Sequence, residues 1–263
     1  MAVPILFFDV DGTIMDFDYE VPGSAVRSIR AARKGGALCF LCSGRPYSHV
    51  DPKVRAIGFD GYVCSCGMHV AVEDAELLRA TATVPMTREV IRLARASDSD
   101  VIYESESGMY FDASRPMNPY MEKSRRHFGS VGLDVDGSID APDYHFDKIF
   151  CWTKPDNPEV TEFLDFLNAH FHVIGRGGST FEVVQPGCSK TSGMKLVLDH
   201  LGASRADTYA FGDGLNDLDM MEFAAHGTAM GNARDAVKER ADYITEDLSA
   251  DGLEKALRHY HLI

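Results

Sequence analysis

Three short segments place acids and hydroxyls directly after apolar runs. Asp9-Val10-Asp11-Gly12-Thr13 follows Ile5–Phe8, Ser43-Gly44-Arg45 follows Ala37–Cys42, and Gly212-Asp213-Gly214-Leu215-Asn216-Asp217 follows Thr208–Phe211. If Asp9, Asp11, Asp213 and Asp217 were packed together without a counter-charge, they would repel and raise one another's pKa. A hard divalent cation removes that difficulty, and Mg²⁺ favours a few carboxylates with waters and a substrate phosphate. A calcium loop of the EF-hand kind is excluded, because Gly12 stands fourth from Asp9 rather than sixth. Thr13, Ser43 and local backbone N–H groups can hydrogen-bond phosphate oxygens. Lys190, opening a helix after Gly187, adds a mobile point charge. Together these groups suit a phosphoryl group.

Segments so far apart in sequence meet only if the apolar runs lie side by side. Continuous apolar strands alternating with helices predict a parallel sheet covered on both faces. The helices expected are Ala25–Lys34, capped by Ser24 and ended at Gly35-Gly36, and one over Tyr47–Ile57 after Pro46. Tyr62–Cys64 is a third strand. The same rhythm returns near the C-terminus, with a helix over Thr191–Leu201 and another over Asn216–Phe223. Short apolar pieces at Gly227–Met230 and Tyr243–Ile244 then bracket a helix near Ala233–Arg240. The expected fold is an α/β, Rossmann-like, doubly wound core, and in such folds ligands bind at the carboxyl ends of the strands.

The middle of the chain reads differently. Val101–Tyr103 and Met109–Phe111 flank Glu104–Gly108 as an antiparallel hairpin whose acidic turn faces solvent. A long strand is expected over Tyr144–Trp152, then a helix to His170 with Asn157 as cap and Pro158 in its first turn. A second hairpin pairs Phe171–Ile174 with Thr180–Val184 around a turn holding Arg176. Prolines mark both edges, so an α+β cap domain over 85–185 is read as inserted into a discontinuous core of 1–84 and 186–263. Pro85 and Pro186-Gly187 would serve as crossing linkers and let the cap close. Lys148 and Arg176 are read first as exposed or structural charge, Met109, Met117 and Met121 as packing residues, and His259-Tyr260-His261 as a frayed tail.

Composition narrows the classes further. In 263 residues, 26 Lys and Arg against 40 Asp and Glu give a net charge of −14, which argues against a nucleic-acid binder. No run approaches the ~18 apolar residues that cross a bilayer, and no export signal opens the chain. Cys39, Cys42, Cys64, Cys66, Cys151 and Cys188 lack zinc-ribbon spacing and read as reduced, buried small hydrophobes. A cytoplasmic protein is expected.

The segments Phe7-Phe8-Asp9-Val10-Asp11-Gly12-Thr13, Leu41-Cys42-Ser43-Gly44-Arg45, Ser189-Lys190 and Gly212-Asp213-Gly214-Leu215-Asn216-Asp217 resemble the four motifs of the haloacid dehalogenase superfamily. With the insert between the second and third motifs, the chain is similar to the Cof-type sugar-phosphatase branch with its large type IIB cap. The resemblance implies that Asp9 is a nucleophile forming an aspartyl-phosphate and that Asp11 is the general acid and base. It implies Mg²⁺ held by the Asp9 carboxylate, the Asp11 backbone carbonyl and Asp213, with Asp217 in support. Ser43 and Lys190 would bind the phosphoryl group and Asn216 would orient it, with Thr13, Gly44 and Arg45 completing the phosphate site. Where relatives often carry Asn-Gly after the third strand, this chain has Cys66-Gly67, which puts the substrate class in question.

The function expected is hydrolysis of a small phosphorylated metabolite, a sugar phosphate first among them. A phosphosugar mutase on the same scaffold would instead return the phosphoryl group to sugar. A non-catalytic phosphometabolite-binding protein would have no use for an acid at Asp11.

Overall fold

A computed structural model describes residues 3–263 of the chain. Strand β1 (Ile5–Phe8) is buried at every position, as a strand covered on both faces must be. Helix α1 (Gly23–Lys34) buries Ala25, Ser28, Ile29 and Ala32 along one stripe. Its N-cap is Pro22, not Ser24, which lies buried inside the first turn. After β2 (Leu38–Cys42), the helix expected over 47–57 is replaced by a single 3-10 turn at Tyr47–His49 and the short α2 (Pro52–Arg55). Asp51 divides them, because its carboxylate caps α2 by accepting from Lys53 N at 2.8 Å. Strand β3 (Gly61–Cys64) is followed by β4 (His69–Val72) and β5 (Ala75–Arg79), neither of which was expected.

Thr83 caps α3 (Val84–Ala96), which places Pro85 in a helical first turn rather than in a linker. The hairpin β6 (Asp100–Ser105) and β7 (Gly108–Phe111) leads to α4 (Pro119–Ser130), capped by Asn118. Strand β8 covers only Lys148–Trp152. Tyr144 and Phe146, read as its beginning, are loop residues whose rings enter the core. Helix α5 (Val160–His170) starts after Pro158, while Asn157 accepts from Glu159 N at 3.0 Å in the preceding turn. Strand β9 (His172–Gly177) pairs with β10 (Thr180–Val184), and Arg176 sits in the strand at a shift of register rather than in the turn.

The chain then forms α6 (Lys190–Leu201), β11 (Thr208–Gly212), α7 (Leu218–Phe223), β12 (His226–Ala229), α8 (Asp235–Lys238), β13 (Tyr243–Ile244) and α9 (Gly252–His259). The C-terminal residues are not frayed, since the His259 ring stacks on Tyr243 with centroids 3.8 Å apart.

Two sheets result. The first runs β13-β12-β11-β1-β2-β3-β4-β5, parallel from β13 to β3 and antiparallel between β3 and β4. The second, β7-β6-β8-β10-β9, is antiparallel throughout. The fold is therefore α/β, a mostly parallel core sheet with a separate antiparallel sheet inserted in the chain.

The chain divides into two compact units. One comprises the sequence up to Arg45 with Val50–Leu78 and Ser189–Ile263, the other Pro46–His49 with Arg79–Cys188. In the first, stacked rings of Phe8 and Phe211, 4.9 Å apart, and of Phe7 and Phe40 lock the central strands together. In the second, α3 and α5 cover one face of the sheet through Val90, Leu93, Phe163 and Leu167. The opposite face holds a buried ionic group. Lys148 Nζ lies 3.3 Å from both Glu104 and Glu182, so neither the lysine nor the start of the acidic hairpin is solvent-facing. Burial works to raise the Glu104 carboxyl, but Lys148 and His49 outweigh it and hold it low. All six cysteines are buried thiols, and none of them is in a disulfide. Among the described residues no helix is long and apolar enough to cross a membrane.

Candidate active site

The parallel register sets the site. Phe8 is level with Leu41 on one side and Phe211 on the other, so the residues leaving β1, β2 and β11 emerge at one carboxyl edge. Asp9 N still donates to the Phe211 carbonyl at 2.9 Å, and Ser43 N donates to Val63 at 2.8 Å. The sheet's hydrogen bonding thus continues into the first residues beyond β1 and β2.

Lys190 reaches this edge from the start of α6. Ser189 caps that helix in a reciprocal box, its hydroxyl accepting from Ser192 N while Ser189 N donates to the Ser192 hydroxyl. A lysine at a helix N-terminus opposes the helix dipole, so carboxylates must hold it there. They do, because Lys190 Nζ donates to Asp9 Oδ1 at 2.5 Å and to Asp217 Oδ1. The ammonium is 1 % exposed. Burial alone would lower its pKa, but Asp217 and Asp9 raise it well above the ordinary value.

Asp217 also shapes its own loop, its other oxygen accepting from Asp213 N at 3.0 Å and Gly214 N at 2.8 Å. Asp213 in turn accepts from the Thr13 hydroxyl at 3.3 Å, joining the first motif to the last. Gly12 permits that approach. It has a φ of +89°, and a Cβ there would stand 2.3 Å from the Asp213 carboxylate.

One carboxylate oxygen each from Asp9, Asp213 and Asp217 can be chosen so that all lie within 4.8 Å of one another. All three residues are buried, against a single ammonium. Burial first, then Asp217, pushes Asp9 up to about 7. Burial, then Asp9 and Asp217, pushes Asp213 up to about 8. An all-oxygen donor set with surplus negative charge fits a hard divalent cation and would be relieved by one.

Asp11 stands outside this group. Its carboxylate is held by Arg45, Nε to Oδ2 and Nη2 to Oδ1, both at 2.6 Å. Ser43 is buried and its hydroxyl accepts from Arg45 N at 3.2 Å, with the buried Gly44 between them. Asn216 is buried in the 3-10 turn that ends at Asp217.

Two residues escaped the sequence reading. Asn232 donates to the Gly12 carbonyl at 2.8 Å and accepts from Leu248 N, tying the first loop to the C-terminal segment. Asp219 accepts from Thr191 N at 3.1 Å and so anchors the first turn of α6 beside Lys190. Nothing in their spacing could have signalled either role. At the Cys66-Gly67 departure, Ser65 and Cys66 both adopt left-handed backbone, φ 50° and 51°. A Cβ at Gly67 would meet the Ser189 carbonyl at 2.0 Å, so this loop packs directly against the cap of α6.

The sequence model of the haloacid dehalogenase-like hydrolases matches residues 6–257. YkrA of Bacillus subtilis (strain 168) is 29% identical over 269 residues, covering all of both chains. The pyridoxal phosphate phosphatase YbhA of Escherichia coli (strain K12) is 24% identical over 279 residues, again covering both in full. Among solved structures, the subclass IIB sugar phosphatase BT4131 superposes with a TM-score of 0.83 at 25% identity, over 99% of this chain and 100% of that one. The chain belongs to the haloacid dehalogenase-like hydrolase family.

Proposed function

We propose that the chain is a Mg²⁺-dependent phosphomonoester hydrolase that acts on a small phosphorylated metabolite, a sugar phosphate foremost, through an aspartyl-phosphate. The observation that carries this reading is the buried Lys190 ammonium lodged between Asp9 and Asp217, with Asp213 beside them. The names of the relatives support the substrate class: one is a sugar phosphatase and another takes pyridoxal phosphate.

Asp9 attacks phosphorus, forming an Asp9 Oδ–P bond as the P–O bond to the leaving alcohol breaks. Asp11 gives that alcohol its proton, then takes one from the water that hydrolyses the acyl phosphate and regenerates Asp9. Lys190 and Ser43 hold the phosphoryl oxygens, assisted by Asn216 and by the Gly44 and Arg45 backbone, while the buried Thr13, expected from sequence to bind phosphate, gives its hydroxyl proton to Asp213 instead. Mg²⁺ would be held by Asp9, Asp213 and the Asp11 backbone carbonyl, with Asp217 in support. It would neutralise charge on the transferring group. The protein's share is positioning and fixed charge.

The experiment is Asp9→Asn assayed with p-nitrophenyl phosphate. Turnover is expected to fall to background with an unchanged circular dichroism spectrum. Substantial remaining turnover would remove Asp9 from the nucleophile's role.

A further inference from the structure

Between α4 and β8, residues 131–147 form neither helix nor strand. Structureless stretches this long inside a compact unit are uncommon and are usually functional. This one is pinned. Arg88 donates to the Ile139 carbonyl at 2.8 Å and to that of Ala141, and the Tyr110 hydroxyl donates to Asp134 at 2.8 Å. Ile139, Tyr144 and Phe146 are buried in the core of the second unit.

With the β6–β7 turn, the pinned loop walls a cavity of about 530 Å³, within the ~300–1,000 Å³ range of small-molecule sites. Its lining residues all belong to the second unit, and none is part of the Asp9–Lys190 group. Its buried parts are Ser105, Asp147 and the pair Tyr110 and Tyr144, with ring centroids 5.3 Å apart.

The charge on the lining is one-sided. Glu106, Asp143 and Asp147 face Arg79, with His145 at the exposed rim. Asp147 accepts from Glu106 N at 2.7 Å, yet burial still raises its carboxyl. The Tyr144 hydroxyl is buried and has no hydrogen-bond partner among the described residues, although Tyr144 is a lining residue and only 8% exposed. A buried hydroxyl left unpaired is costly, and a ligand that supplies the partner removes the penalty.

We propose that this cavity is a binding site for a small organic cation, a primary amine carried on an aromatic or apolar body. The ammonium would pair with Asp147 and meet the Tyr144 hydroxyl, while the body packs on the tyrosine rings. An anion would face three carboxylates and gain one guanidinium.

The test is calorimetric titration of the full-length protein, with Mg²⁺ present, using phenethylamine, 2-phenylethanol and 3-phenylpropionate. Phenethylamine is expected to bind with a Kd of about 1 mM or tighter, a normal affinity for a ligand of its size. The alcohol and the carboxylate should bind roughly tenfold more weakly or not at all, as a lost charge pair requires. Asp147→Asn should weaken the amine about tenfold and Tyr144→Phe by about threefold, each with an unchanged circular dichroism spectrum. If Asp147→Asn does not fold, Tyr144→Phe alone decides. No amine binding up to about 10 mM, equal binding of all three probes, or an amine Kd unmoved by the variants that fold would overturn the proposal.

Discussion

Arg45 grips Asp11 with two arms of its guanidinium, each 2.6 Å from a different carboxylate oxygen. The pair is partly exposed, 16% and 24%, so its contribution to stability is small while its hold on geometry is firm. Arg45→Ala is therefore expected to reduce kcat/KM for p-nitrophenyl phosphate by about 10–100-fold, the scale of a misplaced reacting group. Its melting temperature should stay close to that of the parent. Activity within twofold of the parent would make Arg45 a surface partner only.

Asp11 has two duties in the proposed mechanism, and they separate by leaving group. Asp11→Asn should slow turnover by about 10²–10⁴-fold, the usual worth of a general acid or base. With p-nitrophenol, a leaving group that needs little protonation, the first step survives better than the second. Rapid quenching should then trap phosphorylated protein, whereas Asp9→Asn should trap none. Equal labelling of the two variants would contradict the assignment.

Lys190 is the counter-charge for two buried carboxylates, so its removal leaves both exposed to each other. Lys190→Met is expected to lose about 3–5 kcal/mol of stability, the range for breaking a buried pair. Mg²⁺ should restore part of the loss, because it supplies the missing charge and binds only the folded form. Denaturant titrations of the variant with Mg²⁺ and with EDTA measure both effects. A variant as stable as the parent under EDTA would show that Lys190 does not compensate the acids.

The metal expectation has its own assay. EDTA should abolish phosphatase turnover and Mg²⁺ should restore it, and saturating Mg²⁺ should raise the parent's melting temperature through linkage. Full activity after exhaustive chelation would exclude the cation from the reaction.

A pH test falls in the second unit. Burial works to raise the Asp112 carboxyl, but hydrogen bonds from the Arg95 guanidinium and from Ser114 outweigh it and hold it well below the usual carboxylate range. A depressed folded pKa gives stability that is present above the unfolded value of about 3.9 and is lost as pH falls toward the folded one. The parent should thus lose about 1–3 kcal/mol between pH 5 and pH 2 that Asp112→Asn never possessed. Melting curves of the two proteins should converge at low pH. Parallel curves across that range would show that the pair adds nothing.

The core sheet was legible because its central strands are continuous apolar runs, and each site loop follows one of them. Asp9, Ser43 and Asp213 could be placed at one edge by that pattern alone. Tyr144 and Phe146 misled because alternating aromatics mark a strand and also mark a loop whose rings plug a core. Lys148 and Glu182 were illegible as partners, since only the pairing of β8 with β10 brings them together. Asn232 could not have been found, because its bond to Gly12 spans 220 residues and depends on the finished fold.

The place of β1 between β2 and β11 bears on biosynthesis. Ile5 pairs with Leu38 soon after it is made, but its other edge waits for Thr208. At about 5–20 residues per second, the strand Ile5–Phe8 keeps one apolar edge unpaired for roughly 10–40 s of synthesis. The strand that leads into Asp9 thus stays open to chaperones, and to aggregation, until β11 has been made.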